Sequence, residues 1–273
     1  MKQKVAFQGE KGAYSEIVTK KYFPGEEIIP MRSFQDIFRD LESGGVDFAI
    51  IPVENSIEGS VNEVYDLLLK SNVAVFRETH QRISHCFIVN RDSDSVIKSV
   101  YSHPQALAQC RKYIQERNLE SIPTYDTAGA VRLIKDNRIM DAAAIASNRA
   151  AQLYDMQIVD YGIEDEKNNY TRFFILSKKQ IKTQPTGHDA TSIIFSINHS
   201  PGSLFNLLGE FAKRDINLTR IESRPTKEKP WEYNFYVDIN GHSSDTSISE
   251  ALELIEKKTN FFKILGSYSI ESC

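Results

Sequence analysis

The chain has 273 residues, and at roughly 100–200 residues per domain this length predicts about two domains. Hydrophobic residues make up 41% and charged residues 26%, which is typical of a globular protein. The net charge of −4 lacks the basic excess that nucleic-acid binding requires. No stretch approaches the ~20 apolar residues of a membrane helix, so we expect no membrane association and a cytoplasmic location.

Strand-like and helix-like patterns alternate over the first 180 residues. The apolar runs 5–7 and 48–51 are typical of strands that are buried on both faces. Between them, apolar residues recur at helical spacing behind a Ser33 N-cap, and this helix is predicted to end at Gly44. Further strands are predicted at 83–89, 99–101, 142–145 and 173–176, and further helices at 13–22, 104–116, 127–136 and after a capping box at 60–63.

This alternation predicts an α/β fold, in which ligands gather at the carboxyl ends of the strands. Composition then changes, because residues 181–189 contain few apolar side chains and are predicted to be a linker. Beyond the linker the predicted order is βαββαβ, which is typical of a ferredoxin-like domain over 190–273.

Polar side chains at the mouth of the strand 173–176 form the strongest candidate site. Thr171 carries a hydroxyl that could donate a proton to a leaving oxygen. Its neighbour Arg172 could hold a carboxylate through two parallel hydrogen bonds. Both lie directly before the apolar residues Phe173 and Phe174.

Two further polar clusters follow predicted strands. Residues 54–56 offer a carboxylate, an amide and a hydroxyl, although a polar loop with capping residues would look the same. Ser102 and His103 precede a helix on which Gln105 and Gln109 share one face, and simple helix capping is the alternative there.

Other kinds of site are not supported by the sequence. The dinucleotide pattern GxGxxG, the P-loop and the hydrolase pattern GxSxG are all absent. His85 and Cys86 are adjacent, but in a strand they would point to opposite faces, so we predict neither a metal nor a cofactor.

Taken together, these motifs resemble the prephenate dehydratase family over essentially the whole chain. Residues 5–15 resemble its opening FxGxxGxYS segment, and the clusters at 54–56, 102–105 and 169–173 follow in the family's order. The C-terminal part resembles an ACT regulatory domain, with Pro201-Gly202-Ser203-Leu204 and Glu222-Ser223-Arg224-Pro225. Ser203 stands where the family more often has alanine.

The resemblance implies a carbon–oxygen lyase that converts prephenate to phenylpyruvate, carbon dioxide and water. It implies two α/β lobes within 1–180, similar to periplasmic binding proteins, with the second lobe at about 78–166. It also implies an ACT domain over 190–273 that binds phenylalanine at a subunit interface, in a homodimer or homotetramer.

The resemblance also assigns roles to individual residues. Thr171 is expected to be the catalytic proton donor. The residues expected to bind substrate are Glu54, Asn55, Ser56, Ser102, Gln109, Arg172 and Phe173. The residues expected to bind the effector are Gly202, Ser203, Leu204, Asn217, Leu218, Glu222, Ser223 and Arg224.

Two alternatives remain open at the level of sequence. The first is a related enzyme that acts on arogenate, since both substrates share the same ring chemistry. The second is a small-molecule sensor without catalysis, because a fold does not fix a function. Whether Glu54 is catalytic or only shapes the polarity of the pocket is also open.

Overall fold

The computed structural model describes residues 2–93, 95–226 and 231–271. The chain divides into a first unit, Met1–Val64 with His80–Phe173, and a second unit, Tyr65–Thr79 with Phe174–Cys273. The second unit therefore includes a segment that sequence analysis places in the catalytic region. The predicted boundaries at 180 and 190 stay predictions.

The elements alternate along the chain as the hydrophobic pattern predicts. The strands are β1 (Lys4–Gln8), β2 (Glu27–Met31), β3 (Phe48–Asn55), β4 (Gly59–Ser60), β5 (Ala74–Arg82), β6 (Cys86–Val89), β7 (Ser99–Ser102), β8 (Glu120–Pro123), β9 (Ala142–Ala146), β10 (Gln157–Tyr161), β11 (Tyr170–Ser177), β12 (Asp189–Ser196), β13 (Leu218–Pro225), β14 (Tyr233–Asn240) and β15 (Phe261–Ser269). The helices are α1 (Tyr14–Tyr22), α2 (Phe34–Ser43), α3 (Asn62–Lys70), α4 (Pro104–Gln109), α5 (Arg111–Glu116), α6 (Thr127–Asp136), α7 (Asn148–Leu153), α8 (Ser203–Ala212) and α9 (Thr246–Lys258).

The first sheet has the strand order β2-β1-β3-β11-β5, with β4 paired to β3. Strand β1 pairs in parallel with β2 and β3. Val5, Phe7 and Ile50 are fully buried, as expected for parallel strands that are covered on both faces. The carboxyl ends of β1 and β3 consequently lie at the same edge of the sheet.

Helix α2 has the ends that the sequence predicts. The Ser33 hydroxyl caps it by accepting a hydrogen bond from the backbone N–H of Asp36 at 3.0 Å. Gly44 ends it in the left-handed region, with φ 83°. Both signals are local in sequence, which is why the pattern alone located this helix.

The second sheet has the order β10-β6-β9-β7-β8. Strand β9 consists of four alanines and one isoleucine, and all five residues are fully buried. Such small side chains let α6 pack closely, and Ala128, Ala130 and Val131 join the same core. The strands of this sheet fall between residues 86 and 161, within the span predicted for the second lobe.

The third sheet is antiparallel and has the order β13-β14-β12-β15. Helices α8 and α9 cover it through Leu207, Phe211 and Ile255, which pack with Phe195 and Val237. The predicted βαββαβ order and the α/β class are both confirmed.

Two predicted elements differ from the structure. The helix predicted over 104–116 is broken at Cys110 into α4 and α5. The carbonyl oxygen of Gln109 accepts from the backbone N–H of Asp165 at 2.7 Å, so a partner distant in sequence holds the chain at the break. Ser60, which was predicted to begin the next helix as its cap, lies in β4 opposite Glu54, and α3 begins at Asn62.

No helix in the described ranges has both the length and the apolar character needed to span a bilayer.

Candidate active site

A cavity of about 380 Å³ in the first unit is lined by residues of β1, β3 and β11 of the first sheet, and by α4 and loop residues that follow β7 and β8 of the second. Its volume falls within the ~300–1,000 Å³ that is usual for small-molecule sites. Four residues that were predicted to act in catalysis or substrate binding line it: Asn55, Gln109, Thr171 and Phe173. The geometry around these four decides what the cavity can do.

The turn between β1 and α1 forms one wall of this cavity. Gly9 and Gly12 have φ values of 110° and 95°, a region that favours glycine. A Cβ at Gly12 would also lie 3.0 Å from the Cα of Ala150. The turn places Tyr14 so that its hydroxyl donates to the carbonyl oxygen of Ser84 at 2.6 Å. Burial raises the pKa of Tyr14 well above its usual value, so the phenol stays neutral.

The side-chain amide of Asn55 has one orientation only. Its oxygen accepts from the backbone N–H groups of Ile57 and Glu58 at 3.0 and 3.1 Å. The amide nitrogen must therefore face the other way, since an amide has one accepting and one donating end. That nitrogen faces three accepting oxygens, which are Asn169 Oδ1 at 2.8 Å, Thr171 Oγ1 at 3.1 Å and the carbonyl oxygen of Tyr170 at 3.2 Å.

The Thr171 hydroxyl is consequently left with a hydrogen to give. Its oxygen accepts from Asn55, and no other described residue hydrogen-bonds to it. Thr171 and Phe173 share one face of β11, because side chains alternate along a strand, and both line the cavity. The hydroxyl hydrogen is therefore available to a ligand.

A second amide continues the same chain of hydrogen bonds. Asn169 is fully buried and donates through Nδ2 to Gln109 Oε1 at 3.0 Å. His85 Nε2 lies 3.1 Å from the same oxygen. No described residue hydrogen-bonds to the NH₂ group of Gln109, so the cavity receives two donors from it.

Arg172 and Glu54 lie outside the cavity lining. Arg172 follows Thr171 on the strand and therefore points to the other face of β11. Its Nη1 lies 3.5 Å from Glu54 Oε2, with 11% and 34% of the two side chains exposed. Their predicted contacts with substrate stay predictions, and the structure brings the two residues to each other instead of to Thr171.

Ser56 and Ser102 make contacts that hold the strands around the site. The Ser56 hydroxyl donates to the carbonyl oxygen of Asn168 and accepts from the N–H of Tyr170, both at 3.0 Å. The Ser102 hydroxyl is fully buried and donates to the carbonyl oxygen of Ile145 at 2.5 Å. Neither lines the cavity, so their predicted substrate contacts also stay predictions.

Two histidines line the cavity, and neither is among the predicted catalytic or substrate-binding residues. His103 caps α4, since its Nδ1 accepts from the N–H of Gln105 at 3.2 Å. His85 is 3% exposed, and the edge-to-face contact of its ring with Tyr14 has a centroid distance of 5.9 Å. Burial lowers the pKa of both histidines. No local sequence signal predicts the contact between His85 and Gln109, because folding alone brings them together.

The chain is similar to two known families. Residues 5–181 match the family model for prephenate dehydratase, and residues 191–254 match the model for the ACT domain. The chain belongs to the prephenate dehydratase family. The family predicted from the motifs is confirmed, as is the C-terminal ACT domain.

Proteins similar to this chain are named for different activities. Arogenate dehydratase/prephenate dehydratase 2 of Arabidopsis thaliana is 39% identical over 279 residues, which covers 98% of this chain and 73% of that protein. The crystal structure of prephenate dehydratase from Arthrobacter aurescens in complex with L-Phe has a TM-score of 0.89 at 28% identity and covers 97% of this chain and 89% of that one. GqqA, described as a quorum-quenching acylase, has a TM-score of 0.90 at 30% identity and covers 98% of both chains.

The ACT domain of this family member contains a smaller cavity of about 110 Å³. Ser203 and Leu204 line it. The preceding residue, Gly202, is the N-cap residue of α8 and has a φ of 80°. The loop residues His199 and Trp231 also line it. Two of the predicted effector residues are therefore placed at a concave surface.

The other predicted effector residues lie along β13, outside that cavity. Asn217 immediately precedes the strand, Leu218 begins it, and Glu222 and Ser223 are towards its other end. Arg224 Nη2 pairs with Asp66 Oδ1 of α3 at 3.0 Å within the second unit. Effector binding by these residues stays a prediction.

Proposed function

We propose that this protein removes the ring carboxylate and the ring hydroxyl of prephenate to form phenylpyruvate, and that it is a carbon–oxygen lyase. The observation that carries the proposal is the orientation of Thr171. Because Asn55 donates to its oxygen, the hydroxyl hydrogen is free to be donated to a ligand in the cavity.

The chemistry requires one proton at one place. Departure of the carboxylate as carbon dioxide supplies an electron pair, and this pair expels the ring hydroxyl. Hydroxide leaves poorly, so the Thr171 proton converts it to water, and solvent then returns a proton to Thr171. General acid catalysis of this kind contributes ~10²–10⁴-fold, or roughly 3–5 kcal/mol of barrier.

Asn55 supports the transfer as well as the orientation. Negative charge develops on Thr171 Oγ1 while the proton leaves. The Asn55 N–H group is already 3.1 Å from that oxygen and stabilises the charge without reorganisation. The two residues thus act as one donor unit.

The remaining walls suit a rigid ring with two acidic groups. The free NH₂ group of Gln109 offers two donors to substrate oxygens. Phe173, Val61 and Ile83 give an apolar surface against which a carboxylate is poorly solvated, and this favours its loss.

Replacement of Thr171 tests the proposal. Thr171→Val keeps the shape and removes the proton, so we expect kcat with prephenate to fall by at least ~100-fold while KM changes little. Thr171→Ser is the matched control and should retain most of the activity. Phenylpyruvate formation is measured by its absorbance, and near-normal turnover by the valine variant would remove Thr171 from the acid role.

Arogenate is the alternative substrate, because a 39% identical relative is named for both activities. It shares the ring chemistry and differs in the side chain, so the Thr171 step is the same for both. The ratio of kcat/KM for prephenate and arogenate decides between them. If neither substrate is consumed, a sensor without catalysis becomes the better account.

An acylase activity, as named for GqqA, requires a nucleophile beside a group that can take its proton. Thr171 Oγ1 is bonded to the Asn55 amide, which donates a hydrogen and has its oxygen occupied by two backbone groups. This arrangement favours proton donation by Thr171, which is what dehydration requires.

L-Phenylalanine is the proposed effector, because the similar Arthrobacter structure contains it. We propose a homodimer or homotetramer, since Phe205 and Trp231 of the ACT domain are 79% and 76% exposed and offer apolar surface to a second subunit. Activity and light scattering with increasing phenylalanine test both points. Unchanged turnover at saturating phenylalanine would count against regulation, and a monomer would count against the assembly. A cytoplasmic location stays a prediction.

A further inference from the structure

The hydrogen-bond network around Thr171 determines which ring nitrogen of the buried His85 carries a hydrogen. Two backbone donors fix the orientation of the Asn55 side-chain amide. Its NH₂ group faces Asn169 Oδ1, so the NH₂ group of Asn169 must face Gln109. The atom of Gln109 that accepts from Asn169 is therefore its oxygen, Oε1.

The same oxygen faces His85 Nε2 at 3.1 Å. Two acceptors do not form a hydrogen bond, so Nε2 must carry a hydrogen. We infer that His85 is a neutral imidazole protonated on Nε2, and that it is a positioning residue that turns the NH₂ group of Gln109 into the cavity. This inference rests on the proposed function, since it assigns a role to Gln109 in holding the substrate.

The surroundings of His85 agree with the neutral form. Its Nδ1 is buried and has no hydrogen-bond partner among the described residues, and the ring makes an edge-to-face contact with the Tyr14 ring. Burial lowers the pKa of His85, because water that would stabilise the charged ring is excluded. The tautomer with its hydrogen on Nε2 has no N–H group at the partnerless Nδ1. The tautomer with its hydrogen on Nδ1 and the charged form would each leave an N–H group there without an acceptor.

The consequence concerns binding more than the chemical step. With both donors present, Gln109 Oε1 is saturated and its NH₂ group is held towards substrate. Without His85 only the bond from Asn169 remains, and the amide samples other orientations. Because one hydrogen bond contributes about 1 kcal/mol, we expect KM for prephenate to rise roughly three- to tenfold, with kcat changed less.

Three substitutions separate the two ring nitrogens. His85→Gln can place its own N–H group near the Nε2 position and should restore KM. His85→Asn can reach only the Nδ1 position, and His85→Phe keeps a ring beside Tyr14 without a donor, so both should raise KM. The exposed His188 provides a control, since His188→Phe should leave KM unchanged.

A double-mutant cycle tests whether His85 acts through Gln109. Gln109→Leu should raise KM, and adding His85→Phe to it should cause no further increase, because the group being positioned is already gone. Additive effects of the two substitutions would overturn the inference, and so would a glutamine variant as impaired as the phenylalanine variant.

The tautomer itself is measured on the wild-type protein without substrate. Two-bond ¹H–¹⁵N spectra distinguish a bare ring nitrogen from a protonated one, and His85→Gln identifies the signal by its loss. A hydrogen on Nδ1, or an imidazolium at neutral pH, would overturn the inference even if prephenate is turned over. Failure to convert prephenate would instead defeat the proposed function and leave the measured tautomer standing.

Discussion

At the scale of single residues, the site is a chain of amides that leaves one hydrogen for the substrate. The chain begins at backbone N–H groups, whose direction is fixed by the fold, and passes through Asn55 and Asn169. Each amide orients the next, because its donor and acceptor ends are not interchangeable. Exchange of one NH₂ group for an oxygen should therefore disturb Thr171 without a change of volume.

Asn55→Asp is the substitution that makes this exchange. The carboxylate can still accept from Ile57 and Glu58, but it faces Asn169 Oδ1 and Thr171 Oγ1 with an oxygen. The Thr171 hydroxyl then donates to the carboxylate instead of to substrate, so we expect kcat to fall by at least ~100-fold. Steady-state kinetics with prephenate measure the loss, and circular dichroism checks that the fold is retained. A variant with kcat within about threefold of wild type would contradict the role given to Asn55.

The sequence motifs indicate Thr171 and Asn55 as site residues but not the hydrogen bond between them. The motif order identified the residues, whereas the direction of each amide depends on partners that only folding brings close. Arg172 illustrates the same limit, because alternation along β11 places it on the face opposite Thr171, beside Glu54. The contact of His85 cannot be predicted from its neighbours in sequence, since its partner Gln109 lies 24 residues away.

At the scale of elements, local signals were sufficient for some parts and not for others. The caps of α2 and the apolar run of β3 are each determined by a few consecutive residues, so the sequence pattern predicts them. Strands β2, β8 and β10 were not predicted, because they contain few buried residues and depend on pairing with a neighbour. The break between α4 and α5 was missed because Asp165, far along the chain, supplies the hydrogen bond that accompanies it.

The contact between helices α8 and α9 should make the stability of the protein depend on pH. Glu210 of α8 accepts from Lys258 at 2.7 Å and from Arg214 at 3.0 Å, and these contacts lower its pKa from 4.5 to about 2. A folded-state pKa below the unfolded one means that the unfolded chain binds more protons. The stabilisation is therefore complete above about pH 4.5 and is lost as the pH falls towards 2.

Glu210→Gln should accordingly be less stable than wild type at pH 6 and similar to it near pH 2.5. Urea unfolding across this pH range measures the difference in free energy of unfolding. Glu250→Gln on α9 is the matched control, since that carboxylate is 61% exposed and should contribute little at any pH. A Glu210 difference that stays constant with pH would contradict the assignment.

At the scale of the whole molecule, the two family domains do not coincide with the two compact units of the structure. Residues 65–79 belong to the part of the chain that matches the catalytic family model, yet they pack with the ACT sheet. The Tyr236 hydroxyl donates to the carbonyl oxygen of Tyr65 at 3.2 Å, and Lys263 Nζ donates to that of Leu68 at 2.7 Å. The stability of the ACT sheet should therefore depend on residues outside the domain.

Gly266 of β15 tests this dependence directly. A Cβ on this residue would overlap the carbonyl oxygen of Val75, which is backbone and has little freedom to move. We expect Gly266→Ala to destabilise the protein by about 2 kcal/mol or more, which lowers the melting temperature by roughly 5 °C. Gly209→Ala is the control, because it lies in α8 with nothing within 4 Å of the added Cβ, and it should be neutral or stabilising. Thermal unfolding followed by circular dichroism measures both variants. A Gly266→Ala protein that melts at the wild-type temperature would show that β15 does not depend on this close approach of residues 65–79.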